Sequence, residues 1–196
     1  MPLSLRNTSD RWGLVAQAFH WITGGFVLVL IGQGWWMKEM VPRAERFGQY
    51  QWHASVGYAL LALMVVRVVW RAVNRVPDAP SQSKGWEKRA AAIGHWVLYV
   101  LTLGAAVFGW ALAGTFRRPL DMTLWDTVKV PALVASQDRG LHELFEGLHE
   151  FFSWTLAGLV VAHVAVALYH HYRRHDGVMN RMLPWGRGAG SESAPV

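Results

Sequence analysis

The chemistry open to this chain is set by its histidines. Its 196 residues include nine His and no Cys, which excludes a thiol nucleophile, a disulfide scaffold, a Cys-ligated zinc, an iron-sulfur cluster and a haem attached through thioethers. His20, His53, His95, His149, His163, His170 and His171 lie in or beside apolar stretches, and His142 and His175 lie in more polar sequence. The sharpest spacing is that between His149 and His163, 14 residues apart. On a helix this is about 21 Å of rise and leaves the two side chains only about 40° apart in azimuth. Both therefore face one interior at two depths, too far apart to share a metal. Two stacked cofactors satisfy them, each taking a second imidazole from another helix. His53 opens its apolar stretch at the depth of His149, and His20 reaches the depth of His163. A tetrahedral zinc wants three or four protein ligands close together, whereas these residues sort into pairs. Paired imidazoles that close both axial positions of a haem iron favour electron transfer over oxygen binding.

The elements that must hold these residues are membrane helices. Hydrophobic residues make up 53% of the chain, charged residues only 16%, and there are twelve Trp. Charges cluster so as to leave four uncharged windows, at residues 12–37, 47–66, 90–116 and 151–172. A hydrocarbon core of roughly 30 Å needs about 20 apolar residues as helix, and only a helix or a closed barrel satisfies the backbone inside lipid. An all-α membrane protein of four transmembrane helices follows, with helices expected over 12–37, 52–73, 90–116 and 147–173. These form one domain over 1–184, followed by a disordered tail over 185–196. The first window is read as retained rather than cleaved, since it is long, contains Gln17 and His20, and has no small-residue cleavage site at its end. Trp12, Trp35, Trp36, Tyr50, Trp52, Trp70, Trp96 and Tyr172 gather at window ends, as in an interfacial belt. The long third-to-fourth connection carries Pro119 and Pro131, and a short surface helix is expected over 123–130.

The net charge of +6 belongs to topology, not to nucleic acid. Segments sharing a side with the termini hold twelve Lys and Arg against seven on the other side. The positive-inside rule then places both termini in the cytoplasm. No run of Lys and Arg interleaved with aromatics suggests a nucleic-acid partner.

Several residues admit more than one role. His95 competes with His20 as a ligand at the inner depth, or contacts a haem propionate or a quinone. His142, seven residues before His149, is an alternative to it. Arg67 and Arg71, one turn apart, either pair with propionates or snorkel to headgroups. Gly24, Gly25, Gly57 and Gly158 lie within about a turn and a half of candidate ligands. They serve either a flat macrocycle or close helix packing.

Taken together these residues resemble the bacterial cytochrome b561 family. The matching pieces are His20-Trp21, His53 with Gly57, the run Leu63-Met64-Val65-Val66-Arg67, Gly94-His95, Leu148-His149-Glu150, His163, His170-His171 and Arg181-Met182-Leu183-Pro184. The resemblance implies two haem b groups in a bacterial inner membrane, one held by His20 and His163 on the cytoplasmic side and one by His53 and His149 on the periplasmic side. It further implies electron transfer to ubiquinone, with superoxide as the expected donor, hence a superoxide:ubiquinone oxidoreductase. Superoxide would be drawn by Arg117, Arg118 or Lys129, because an anion responds to local potential. His170, His171 or His95 would donate to the quinone. The competing readings are the cytochrome b subunit of a hydrogenase or dehydrogenase complex, working with a redox partner protein, and a haem-free transporter or structural protein.

Overall fold

The computed structural model describes residues 4–79, 83–117, 120, 123–125 and 127–185. Four long helices dominate it: α1 (Leu14–Glu39), α2 (Arg46–Val73), α3 (Gly85–Ala113) and α4 (Arg139–Tyr169). Each is long and apolar enough to cross a membrane, as the uncharged windows require. Trp35, Trp36, Trp52 and Trp96 are exposed on them, where a lipid-facing side chain would be.

Helix α1 begins at Leu14, two residues inside its window, whereas α3 and α4 begin well before theirs because polar residues cap them outside the apolar stretch. The Glu87 carboxylate accepts the backbone N–H of Lys84 at 2.8 Å, the reaching-back half of a capping box, so α3 starts at Gly85 rather than 90. Asp138 accepts the N–H of Leu141 at 2.8 Å and Arg139 pairs with Glu143 one turn on. This starts α4 at Arg139, well before 147, and places His142 inside the helix. Arg46 opens α2, and its guanidinium donates to the carbonyls of Val41 and Lys38, covering orphan acceptors at the end of α1.

The connection between α3 and α4 corrects one expectation. Instead of a surface helix over 123–130, it holds a two-stranded antiparallel hairpin, β1 (Thr123–Leu124) with β2 (Val128–Lys129). Trp125 at the turn has φ 46°, a left-handed value that breaks a helix and suits a tight reversal. Ser55 of α2 donates to the Thr123 carbonyl at 2.8 Å, which ties β1 down.

The chain forms two compact units, and all four helices contribute to each. A central unit comprises Thr23–Val65 and Tyr99–Ala157. Its buried side chains include Val27, Val56, Leu60, Met64, Ala105 and Leu156. A terminal unit comprises the chain up to Ile22, Val66–Leu98 and Gly158 onward. There the segments outside the helices are stitched together. Asn7 donates to the Arg75 carbonyl, Arg11 to that of Leu183, Trp21 to that of Met182 and Arg181 to that of Asp78. In this unit α4 widens into a π-helical turn over His170–Arg174 and stops at His175, whose φ of 50° is left-handed. π-Turns of this kind are frequent at functional sites. The tail beyond Trp185 and Arg118 lie outside the described residues.

Candidate functional site

In the central unit α2 carries His53 and α4 carries His149, with ring centres 6.0 Å apart and planes at 88°. Two imidazoles bound on opposite sides of one metal, at about 2.0–2.1 Å each, have ring centres about 6 Å apart. Both rings are held from behind. Nδ1–H of His53 donates to the Gln33 side-chain oxygen at 2.6 Å, and Nδ1–H of His149 donates to the Ala105 carbonyl at 2.9 Å. A ring proton committed at Nδ1 leaves Nε2 as the lone-pair nitrogen. Among the described residues no hydrogen bond occupies Nε2 of either ring. This is the arrangement that metal-ligating histidines adopt, with a carbonyl fixing tautomer and orientation.

Space beside the rings suits a large flat group. A cavity of about 650 Å³ is lined by His53, His149, Gly57, Tyr58 and Gly109 among others, within the range of organic-ligand pockets. A β-carbon at Gly57 would meet nothing within 4 Å, whereas one at Gly109 would press on His149. The Tyr58 hydroxyl is buried with no hydrogen-bond partner among the described residues. A buried orphan donor is costly, so its presence in a cavity wall fits a bound group with polar edges.

The same cavity reaches charged residues that sequence reasoning did not single out. Lys38, Arg43, Arg46, Glu146 and Glu150 line it, and Lys38 is ion-paired with Glu150. Arg117 and Lys129, both exposed, are absent from that lining. The missed signal was the cationic end of α1 and start of α2, Lys38 to Arg46, on the same side as His53. His142 also lines the cavity, and its Nδ1 lies 2.9 Å from the Thr115 hydroxyl. That hydroxyl donates to the Leu112 carbonyl, so it accepts from His142, whose Nε2 keeps the lone pair.

The terminal unit gathers three imidazoles. His163 on α4 stands 6.2 Å from His20 on α1 and 5.6 Å from His95 on α3, ring centre to ring centre. Thus His20 and His95 both flank His163, as their competing sequence roles require. Behind His20, Nη2 of Arg67 lies 3.4 Å from its Nδ1. Arg71 stands between two indoles, 5.8 Å from the ring centre of Trp12 and 5.9 Å from that of Trp96, as cation–π pairing favours. A β-carbon at Gly158 would meet nothing within 4 Å.

Further along α4, Nδ1 of His170 lies 2.5 Å from Asp176 Oδ2, and the Asp176 side chain is 2% exposed. Arg174 links this pair to α3, with Nη1 2.7 Å from Glu87 Oε1 and Nε 3.8 Å from Asp176 Oδ2. His171 packs edge-on against Tyr172.

Comparison with known proteins decides the family. A family model described as prokaryotic cytochrome b561 matches residues 11–185. The chain belongs to the prokaryotic cytochrome b561 family. Among its relatives are cytochrome b561 homolog 2 of Escherichia coli (strain K12), 31% identical over 92% of this chain and 95% of that protein. The probable superoxide oxidase CybB of Yersinia pestis is 26% identical over 91% and 98%, and cytochrome b561 homolog 1 of E. coli (strain K12) 25% identical over 89% and 98%. This cytochrome is accordingly a multi-pass bacterial membrane protein that binds haem b and transfers electrons. The imidazole pairs, the open wall at Gly57 and the orphan Tyr58 hydroxyl all fit such a group.

Proposed function

We propose that the protein holds two haem b groups and passes electrons from superoxide to ubiquinone, with the ligand pairs His53 with His149 and His20 with His163. When bound, each haem supplies an iron that takes up and gives back one electron. The observation that carries this reading is the His53/His149 arrangement: two rings fixed through Nδ1 to carbonyl oxygens, which leaves Nε2 as the lone-pair nitrogen, with ring centres 6.0 Å apart. The reaction removes one electron from each of two superoxide ions, releasing two molecules of oxygen, and adds two electrons and two protons to one quinone.

The protein's own residues divide the remaining work. Lys38, Arg43 and Arg46 offer an anionic donor its cationic contacts at the cavity wall, where they stand among the carboxylates of Glu39, Glu146 and Glu150. The name of the Yersinia relative, a probable superoxide oxidase, supports superoxide as that donor. In the terminal unit Arg67 and Arg71 hold the propionates of the second haem, and His95 packs against His163 without ligating. His170 presents Nε2 to a quinone carbonyl while Asp176 holds its Nδ1–H, a pairing that sets the ring for proton transfer. Both termini face the cytoplasm of a bacterium, the protein residing in its inner membrane.

A pyridine haemochrome assay on the purified protein and on four single changes tests the ligand set. Two haems per chain are expected in the wild type and one or none in His20→Ala, His53→Ala, His149→Ala and His163→Ala. Unchanged spectra in His163→Ala, or a wild-type ratio near one, would sink the assignment. The donor and acceptor are tested by supplying superoxide from xanthine oxidase and following ubiquinone reduction.

A further inference from the structure

Gln33 is a polar side chain in the apolar body of α1, between Gly32 and Gly34. A polar group in a spanning helix is expensive and is retained where it is partnered. Its partners are specific. The side-chain oxygen accepts Nδ1–H of His53 at 2.6 Å, while the side-chain nitrogen donates at 3.4 Å to the main-chain and side-chain oxygens of Gln49, one turn earlier on α2. The Gln49 contacts orient the amide so that its oxygen, not its NH2, meets the ring. The next residue borders the same ring: a β-carbon at Gly34 would lie 3.4 Å from His53 Cε1, in van der Waals contact. Two successive α1 positions thus stand against one imidazole.

The opposite ligand is built differently. His149 donates to the Ala105 carbonyl, a backbone acceptor that any residue at position 105 provides. Of these two rings, His53 is the one whose tautomer is set by a replaceable side chain.

From this asymmetry we infer that Gln33 is a positioning residue that tunes the redox potential of the haem bound by His53 and His149. The inference rests on the ligand assignment above. An acceptor on Nδ1–H fixes the lone pair at Nε2 and makes that nitrogen a stronger donor. A stronger imidazole donor would stabilise the more highly charged ferric state of a bound haem, and hydrogen bonding behind the ligand is one of the ways a protein sets haem potential. Gln33 therefore lowers the potential of this haem, which favours passing its electron onward.

The test is an equilibrium redox titration of the haem-loaded full chain, followed in the α-band, for wild type, Gln33→Leu and Gln33→Glu. His149→Ala identifies the relevant component as the one it abolishes. In Gln33→Leu that component is expected to move to higher potential, and in Gln33→Glu to lower potential, with the other component unmoved. If Gln33→Leu fails to retain this haem, retention by Gln33→Glu supports the acceptor role. Unmoved potentials in both variants, shifts of the same sign, or loss of haem in both would overturn it, the last two because packing rather than hydrogen bonding would then matter. A His53→Ala protein that still binds two haems would remove the ligand assignment itself, whatever the Gln33 variants show.

Discussion

Gly109 stands where any β-carbon would lie 3.0 Å from both Cε1 and Nδ1 of His149. The ring uses that space to reach the Ala105 carbonyl, one helical turn before Gly109 on α3.

Gly109→Ala should therefore displace His149 and lower the haem content from two per chain toward one, read by pyridine haemochrome. Gly32→Ala is the control, because a β-carbon there meets nothing within 4 Å. On helix propensity it should be neutral or stabilise by about 0.5–1 kcal/mol. Equal haem contents in the two variants would show that the close approach is not what seats the ring.

The same two helices meet at Gly104, where an added β-carbon would overlap the ring of Phe152. Overpacking of this kind costs about 1–3 kcal/mol. Gly104→Ala should lower the thermal unfolding midpoint in detergent, and Phe152→Leu added to it should recover part of the loss. A double variant no better than Gly104→Ala alone would place the strain elsewhere.

At the cavity wall Lys38 pairs with Glu150. Lys38→Gln removes a cation and also leaves a carboxylate unpaired, so the superoxide-dependent rate should fall by about tenfold at low salt, an effect within the reach of electrostatic steering. Arg43→Gln should lower it less, and Lys129→Gln, on the hairpin, should leave it unchanged. Raising the ionic strength should narrow these differences, since screening acts on exposed charge. A loss with Lys129→Gln as large as with Lys38→Gln would move the approach of the donor to the hairpin.

Asp176→Asn keeps the shape of the side chain but removes the anion facing Nδ1 of His170. Haem content should hold, while quinol formation with a short-chain ubiquinone slows by about a hundredfold, the scale of a lost acid–base partner. His170→Ala should behave alike, and the double change should add little, as expected of residues acting together. Additive losses would separate the two residues' roles.

Much of this was legible in the sequence. Lipid requires about 20 apolar residues per crossing, so four uncharged windows are enough to count the helices. That His149 and His163, 14 residues apart, face one side follows from helical geometry alone; the structure places the His53 and His149 rings 6.0 Å apart, and sets His163 6.2 Å from His20 and 5.6 Å from His95, the two candidates the sequence offered at that depth. Helix starts were less legible, because Glu87 and Asp138 cap α3 and α4 outside the apolar windows. The hairpin at Thr123 to Lys129 escaped for a related reason: short polar segments take their form from tertiary ties such as Ser55 to Thr123.

Composition and spacing by themselves determined that the chain crosses a membrane four times and carries imidazoles at two depths, since both depend only on distance along a helix. The tertiary structure alone decided what stands behind and beside those imidazoles. Gln33 meets His53 and Gly109 clears His149 because α1 turns one face to α2 and α3 another to α4. Those azimuths come from packing between helices, which no apolar window records.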